Sequence, residues 1–189
     1  MRLTKEQANL RLQSVKTKEE LRDLIMSVDT SGSGRRTVLW SGAAGFHGAE
    51  SNQAISSQRV ASSLQRSNPN LRTLESTQAG MFLDLDKRSK HFNQQLSDKL
   101  NQIFKDNPDG IRDFLSGPTT GNPKIRTGKG IWDEVSEKFV MQAQGDVRLL
   151  VGGAAIDKVF AQTELKALLA NQAITSVEGV PIEGLRQLE

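Results

Sequence analysis

The chain has no cysteine, and only two histidines and two tryptophans, among 189 residues. Without cysteine there is no disulfide framework, no thiol nucleophile and no thiolate zinc site. His47 and His91 are isolated along the chain and do not suggest a multi-histidine metal centre. The opening stretch MRLTKEQANLRL lacks the apolar core of a signal peptide. The longest apolar run, LLVGGAAI (Leu149 to Ile156), is far too short to span a bilayer, so stable membrane insertion is not expected. One-signed charge is scarce too. The net charge is +3 and the Lys and Arg residues are scattered, which argues against a nucleic-acid partner.

What is present fits a globular protein. With 36% hydrophobic and 25% charged residues, the chain can bury one core or support two small lobes sharing one. Apolar spacing at Leu3, Leu10 and Leu12, and at Leu21, Leu24 and Ile25, predicts two amphipathic helices, followed by the Gly/Ser hinge Ser31 to Arg36. TVLWSGAAG (Thr37 to Gly45) reads as a buried strand ending in a tight loop. Gln53 to Arg66 places Ile55, Val60, Ala61 and Leu64 at helical spacing, and SNPN ends that helix. TLESTQAGMFLDLD (Thr73 to Asp86) reads as one helix capped by Thr73, with Leu74, Ala79, Met81, Phe82 and Leu85 as its apolar stripe. An amphipathic segment (Phe92, Leu96, Leu100, Ile103, Phe104), a short helix ending at Gly117 and a Gly/Pro/Lys-rich loop to Gly130 follow. The last third alternates: IWDEVSEKFVMQA as helix, DVRLLVGG as strand, DKVFAQTELKALLA as helix, and AITSVEGVPI as one strand. That order points to a parallel sheet and an α/β fold.

Four residues stand out. Trp40 ends the first strand and Trp132 begins a helix, and in a parallel sheet these positions share the edge where ligands bind. Either tryptophan could equally be core. Glu75 lies at an expected helix start, where a carboxylate is favoured by the helix dipole alone. Glu164, in FAQTELKALL, could be an ordinary solvated helix residue.

Together, VLWS, TLEST, IWDEVSEKFVMQAQGDV and VFAQTEL have the order and local patterns of the ADP-ribosyl cyclase family, which the chain resembles over residues 37–180. The resemblance implies an N-terminal mostly helical lobe packed on a small parallel-sheet α/β lobe, with residues 1–34 as a helical segment and hinge and 35–189 as the catalytic domain. It implies cleavage of the nicotinamide–ribose bond of NAD(P)+, as a glycohydrolase with cyclisation as a minor outcome. Glu164 matches the catalytic glutamate, and Glu75 the glutamate facing the nicotinamide pocket. Trp40 and Trp132 match the tryptophans that stack on the ring. Ser41 matches a serine near the diphosphate, Ser136 one near the ribose or phosphate, and Phe160 a phenylalanine whose backbone approaches the diphosphate.

These residue types suit the chemistry. The leaving nicotinamide departs neutral from a cationic pyridinium and needs no general acid. Flat indoles attract the cationic ring through their aromatic faces. A carboxylate stabilises the oxocarbenium-like transition state or traps it. No metal or cofactor is expected, because NAD or NADP is itself the substrate.

Departures from the family pattern are informative. Gly42 follows W-S where animal members have a basic residue, and Val159 replaces a threonine before Phe160, so diphosphate binding would fall to Arg35, Arg36, Lys129, Lys158 or backbone N–H groups. The Trp40 to Glu75 interval is longer, and the disulfides of animal members are missing. Within the family the chain resembles a toxin domain of the contact-dependent growth inhibition type. That implies secretion within a larger effector, action in the target-cell cytoplasm and a cognate immunity protein. Two alternatives compete: a nuclease toxin using His47 or His91, and a non-enzymatic module binding a partner through Trp40, Trp132 and Phe160.

Overall fold

The computed structural model describes residues 2–32, 36–41, 43–44, 55–120, 126–151 and 163–187. The α/β architecture expected from the sequence is present, and the chain divides into two compact units, each assembled from two stretches. Among the described residues, no helix is long and apolar enough to cross a membrane.

The first unit, residues 1–32 and 74–135, is helical. Helix α1 (Lys5–Leu12) starts with a reciprocal cap: Thr4 accepts from Gln7 N and Gln7 accepts from Thr4 N. Helix α2 (Lys18–Ser27) is capped by Thr17 and buries Leu21, Leu24 and Ile25 on one stripe. Leu3 and Val28 form a parallel bridge that closes α1 against α2. Helix α5 (Gln94–Phe104) is capped by Asn93, whose amide also donates to the Phe82 carbonyl and to Asn9 Oδ1. Helix α6 (Pro108–Ser116) begins with Asn107 as cap and proline in its first turn, where no N–H is needed.

The expected helix over Thr73 to Asp86 is broken in two. Leu74–Ser76 form a 3-10 turn, and α4 (Gln78–Phe82) restarts after it with Thr77, not Thr73, as its cap. Thr77 Oγ1 accepts from Gly80 N at 3.1 Å and donates to the Leu74 carbonyl at 2.7 Å, so one hydroxyl ends the turn and starts the helix. Met81 and Leu85 are consequently only half-buried.

The second unit, residues 33–73 and 136–189, carries a five-stranded sheet in the order β4-β1-β5-β6-β7. Its strands are β1 (Arg36–Trp40), β4 (Leu71–Arg72), β5 (Gly145–Leu150), β6 (Ile174–Val177) and β7 (Val180–Pro181). All pairings are parallel except β6 with β7. The stretch expected as one last strand is therefore a hairpin: Glu178 (φ 51) and Gly179 (φ 79) both take left-handed conformations and reverse the chain. Ile55, expected in a helix, belongs to β3 (Ile55–Ser56), which pairs with β2 (Ala43–Ala44), and α3 (Ser57–Ser67) begins only afterwards.

Strand alternation sorts the faces of the sheet. Val38 and Leu71 pack with Ala61 of α3 on one face. On the other, Arg72 Nε donates to Thr37 Oγ1 at 2.9 Å, and its guanidinium lies 4.9 Å from the Phe139 ring of α7 (Ile131–Met141). Helix α8 (Leu165–Ala170) lies beside the end of α7, because buried Asn171 donates to the Val140 and Ala143 carbonyls at 2.8 and 2.9 Å. A right-handed crossover from β5 to β6 requires α8 on that side. The short α9 (Glu183–Arg186) closes the described chain.

Candidate active site

In the second unit, three of the expected site residues share one side of the sheet. Ser41 N donates to the Leu150 carbonyl at 3.1 Å, extending the β1–β5 ladder one residue past Trp40. Alternation therefore places Ser41 on the face of Thr37 and Leu39, the face that α7 and α8 cover. Ser136 lies one turn before Phe139 on α7 and so faces the sheet as Phe139 does. Glu164 immediately precedes α8, in a wider π-type turn with Thr163. Because the ends of α7 and α8 meet at Asn171, by the strand starts, both helices run from the C-terminal edge of the sheet, where Ser41 lies. Ser41, Ser136 and Glu164 are 5%, 4% and 7% exposed, so Glu164 is not the solvated helix residue that its sequence position also allowed.

Trp40 follows the opposite alternation. It is half-buried and packs with Leu64 and Leu150 against Val38, Ala61 and Leu71 on the α3 face. Its indole thus contributes to that apolar cluster at the very end of the strand.

In the first unit, Glu75 and Trp132 are both half-buried. Glu75 is carried by the 3-10 turn, with Gly80 of α4 packed directly on its backbone. Trp132 is the second residue of α7 and sits one turn before Ser136 on the same helix face. The boundary between the units falls within α7, after Val135.

Phe160 lies outside the described residues, as do Arg35, Gly42, His47, Lys158 and Val159. Arg36, considered for the diphosphate, starts β1, about 16 Å from Ser41 at ~3.3 Å per residue, and pairs with Asp146 and Glu178. That removes it from the edge carrying Ser41. Lys129 is exposed. His91 is tied in through its backbone: its carbonyl accepts Lys5 Nζ at 2.7 Å and its N–H donates to Ser89 Oγ at 3.1 Å. Burial, then Lys90 and Lys5, lower its imidazole pKa below the usual value, against a smaller opposing pull from Asp84.

Two supports were not foreseen from the sequence. Thr77 and Gly80 hold the turn bearing Glu75, and the signal for them was an isolated glycine inside a helical pattern. Asp133 accepts from Gly130 N and pairs with Arg126 beside Trp132; an acidic residue in the first helical turn was the visible half of that arrangement.

No family model matches the chain, and no curated protein matches it. Among solved structures it is similar to the Aplysia cyclase, solved with its substrate NGD and product cGDPR, at a TM-score of 0.47 and 18% identity over 85% of this chain. It is also similar to porcine CD38, solved with a covalent intermediate, ribo-F-ribose-5′-phosphate, at a TM-score of 0.44 and 16% identity over 90% of this chain and 68% of that one. The chain spans about half the length of the Aplysia cyclase, 54% of it.

Proposed function

We propose that the chain is an NAD(P)+ glycohydrolase with ADP-ribosyl cyclase activity as a minor outcome. The observation that carries this reading is the placement of Glu164: a carboxylate 7% exposed, at the head of a crossover helix on the sheet face of Ser41 and Ser136. Ligands of open parallel sheets bind beyond the strand C-termini, which is the edge these residues occupy.

The chemistry follows from the residue types. The bond between ribose C1′ and the pyridinium nitrogen breaks, and its electron pair leaves with neutral nicotinamide. Glu164 stabilises the cationic ribosyl centre or bonds to it transiently. Water then adds at C1′ and loses a proton, giving ADP-ribose; attack by the adenine N1 instead gives the cyclic product. The other roles rest on the motif resemblance, which assigns Ser41, Ser136 and the Phe160 backbone to the ribose and diphosphate and Trp40, Trp132 and Glu75 to the ring, although the Trp40 indole packs with the apolar cluster on the α3 face. No metal or prosthetic group takes part in this scheme.

The biological role we infer is NAD depletion by a bacterial toxin domain. It would be secreted within a larger effector, act in the target-cell cytoplasm and be neutralised by a cognate immunity protein. Motif resemblance and the lack of cysteine support this context.

The test is consumption of NAD+ and NADP+ by purified protein beside a Glu164→Gln variant. The parent should release nicotinamide with ADP-ribose, and the variant should lose about a thousandfold or more in kcat, since the charge stabilising the transition state is gone. A folded parent that leaves both dinucleotides intact would sink the reading.

A further inference from the structure

The chain on either side of Trp132 is tied down more firmly than a helix start requires. Asp133, 1% exposed, lies in the first turn of α7, and its Oδ2 accepts the Gly130 N–H at 2.8 Å. The same oxygen takes the Arg126 guanidinium, whose side chain is only 11% exposed. Arg126 is held in turn by an antiparallel bridge to Thr119, and the next residue, Thr127, donates its N–H to the Pro118 carbonyl at 2.8 Å. Behind this pair two glycines meet. A Cβ on Gly130 would lie 2.2 Å from Gly117 N, and one on Gly117, at φ +88, would lie 2.3 Å from the Gly128 carbonyl oxygen. On the other side of Trp132, Ile131 is 2% exposed.

Stability is a poor account of the charges. A buried ion pair roughly breaks even against apolar residues of similar volume. Here Arg126 Nε is also buried with no hydrogen-bond partner among the described residues, which adds a desolvation cost. The cap itself needs only an oxygen at position 133, which asparagine would provide. What the charges add is one fixed geometry, because a planar guanidinium meets a carboxylate in few orientations.

We propose that Arg126 and Asp133 are positioning residues for Trp132, tying the base of the Gly117–Gly130 loop to the head of α7 so that the half-buried indole keeps one orientation. The catalytic consequence rests on the NAD(P)+ reading above; the positioning does not.

The experiment has two arms. A Trp40→Phe background leaves Trp132 as the sole tryptophan, so fluorescence reports its indole alone. In that background the double variant Arg126→Leu/Asp133→Asn removes both charges but retains an oxygen for the Gly130 N–H. It should melt cooperatively, yet expose Trp132 to acrylamide about twofold more, because the backbone beside the indole is released. With Trp40 present, the double variant should raise KM for NAD+ about tenfold with kcat within about threefold, since ring placement is disturbed and bond cleavage is not. Arg126→Lys keeps a cation without the planar fork, should fall between parent and double variant, and carries both arms if the double variant does not fold. Unchanged quenching in folded variants overturns the proposal. If the parent leaves NAD+ intact, the catalytic reading fails and the quenching arm alone decides the positioning.

Discussion

An ideal Cβ built on Gly80 would lie 2.1 Å from the Leu74 carbonyl oxygen and 2.7 Å from the Glu75 Cα, distances that real side chains do not tolerate. The 3-10 turn bearing Glu75 therefore lies against bare backbone, and Gly80→Ala must push it away. We expect that change to cost about 1–3 kcal/mol in urea unfolding, in the range of other overpacking substitutions. If it acts through Glu75, adding Gly80→Ala to a Glu75→Gln variant should lower NAD+ turnover little further; additive losses would show an independent effect. Asp146 gives a second prediction at this scale. Burial raises its pKa, but hydrogen bonds from Ser176 Oγ and Gly179 N and the Arg36 guanidinium outweigh that, so the net shift is downward. A lowered folded-state pKa stabilises the fold fully above the unfolded value of about 3.9, and that contribution is lost as pH falls through the folded value. Asp146→Asn should therefore be less stable than the parent at pH 7, by about 1 kcal/mol, with the gap in urea midpoints narrowing as pH falls below the unfolded value. A constant gap would show that the charge is not responsible.

At the scale of elements, one hydroxyl decides whether residues 73–86 form one helix or two pieces. Thr73 and Thr77 both precede apolar, helix-compatible runs, and the sequence alone favours the first as cap. The structure favours the second, because Thr77 Oγ1 serves the Leu74 carbonyl and Gly80 N together. Thr77→Val removes both bonds and should cost about 1–2 kcal/mol, read as a shift of the thermal midpoint; a shift within error would make the packing of Ala79 and Phe82 sufficient by itself. Elements with long periodic stripes, such as α2 with Leu21, Leu24 and Ile25, were legible in the sequence because burial repeats along them. Two-residue strands such as β2, β3 and β4 were not, since so short a segment shows no period. The β6–β7 hairpin hid in AITSVEGVPI because its turn begins at Glu178, a residue seldom found at positive φ. Its carboxylate compensates by accepting the Leu149 N–H at 2.7 Å, where β6 no longer reaches. In the candidate site, motif spacing pointed to Ser41, Ser136 and Glu164. It could not show that Trp40 faces α3, which needs the strand register, or that Arg126 finds Asp133, which needs the closed base of the intervening loop.

At the scale of the whole molecule, the chain passes between its two units after residues 32, 73 and 135, so neither unit is a continuous segment. Residues 1–32 supply Leu3, Ala8, Leu12, Leu21 and Ile25 to the core of the first unit, all at most 2% exposed. They also bind the returning segment through polar contacts: Ala79 N donates to the Asp29 carbonyl at 2.9 Å, Lys5 N to Gln78 Oε1 at 2.9 Å and Lys99 Nζ to the Val15 carbonyl at 3.1 Å. The resemblance-based division into 1–34 and 35–189 expects the longer piece to hold the catalytic domain, and a truncation tests whether it can stand alone. Without residues 1–32, α4 and α5 lose the helix α1 that packs on them and Ala79 N loses its acceptor, which a unit of this size cannot absorb. A 35–189 fragment should therefore lack the parent's cooperative melt, be cleaved first within 74–135 by dilute protease and lose the proposed NAD+ turnover, because α1 packs on α4 and α4 on the turn bearing Glu75. A fragment with a sharp melt and parental turnover would show that the α1–α2 segment is dispensable, and that the turn bearing Glu75 is fixed by Thr77 and Gly80 alone.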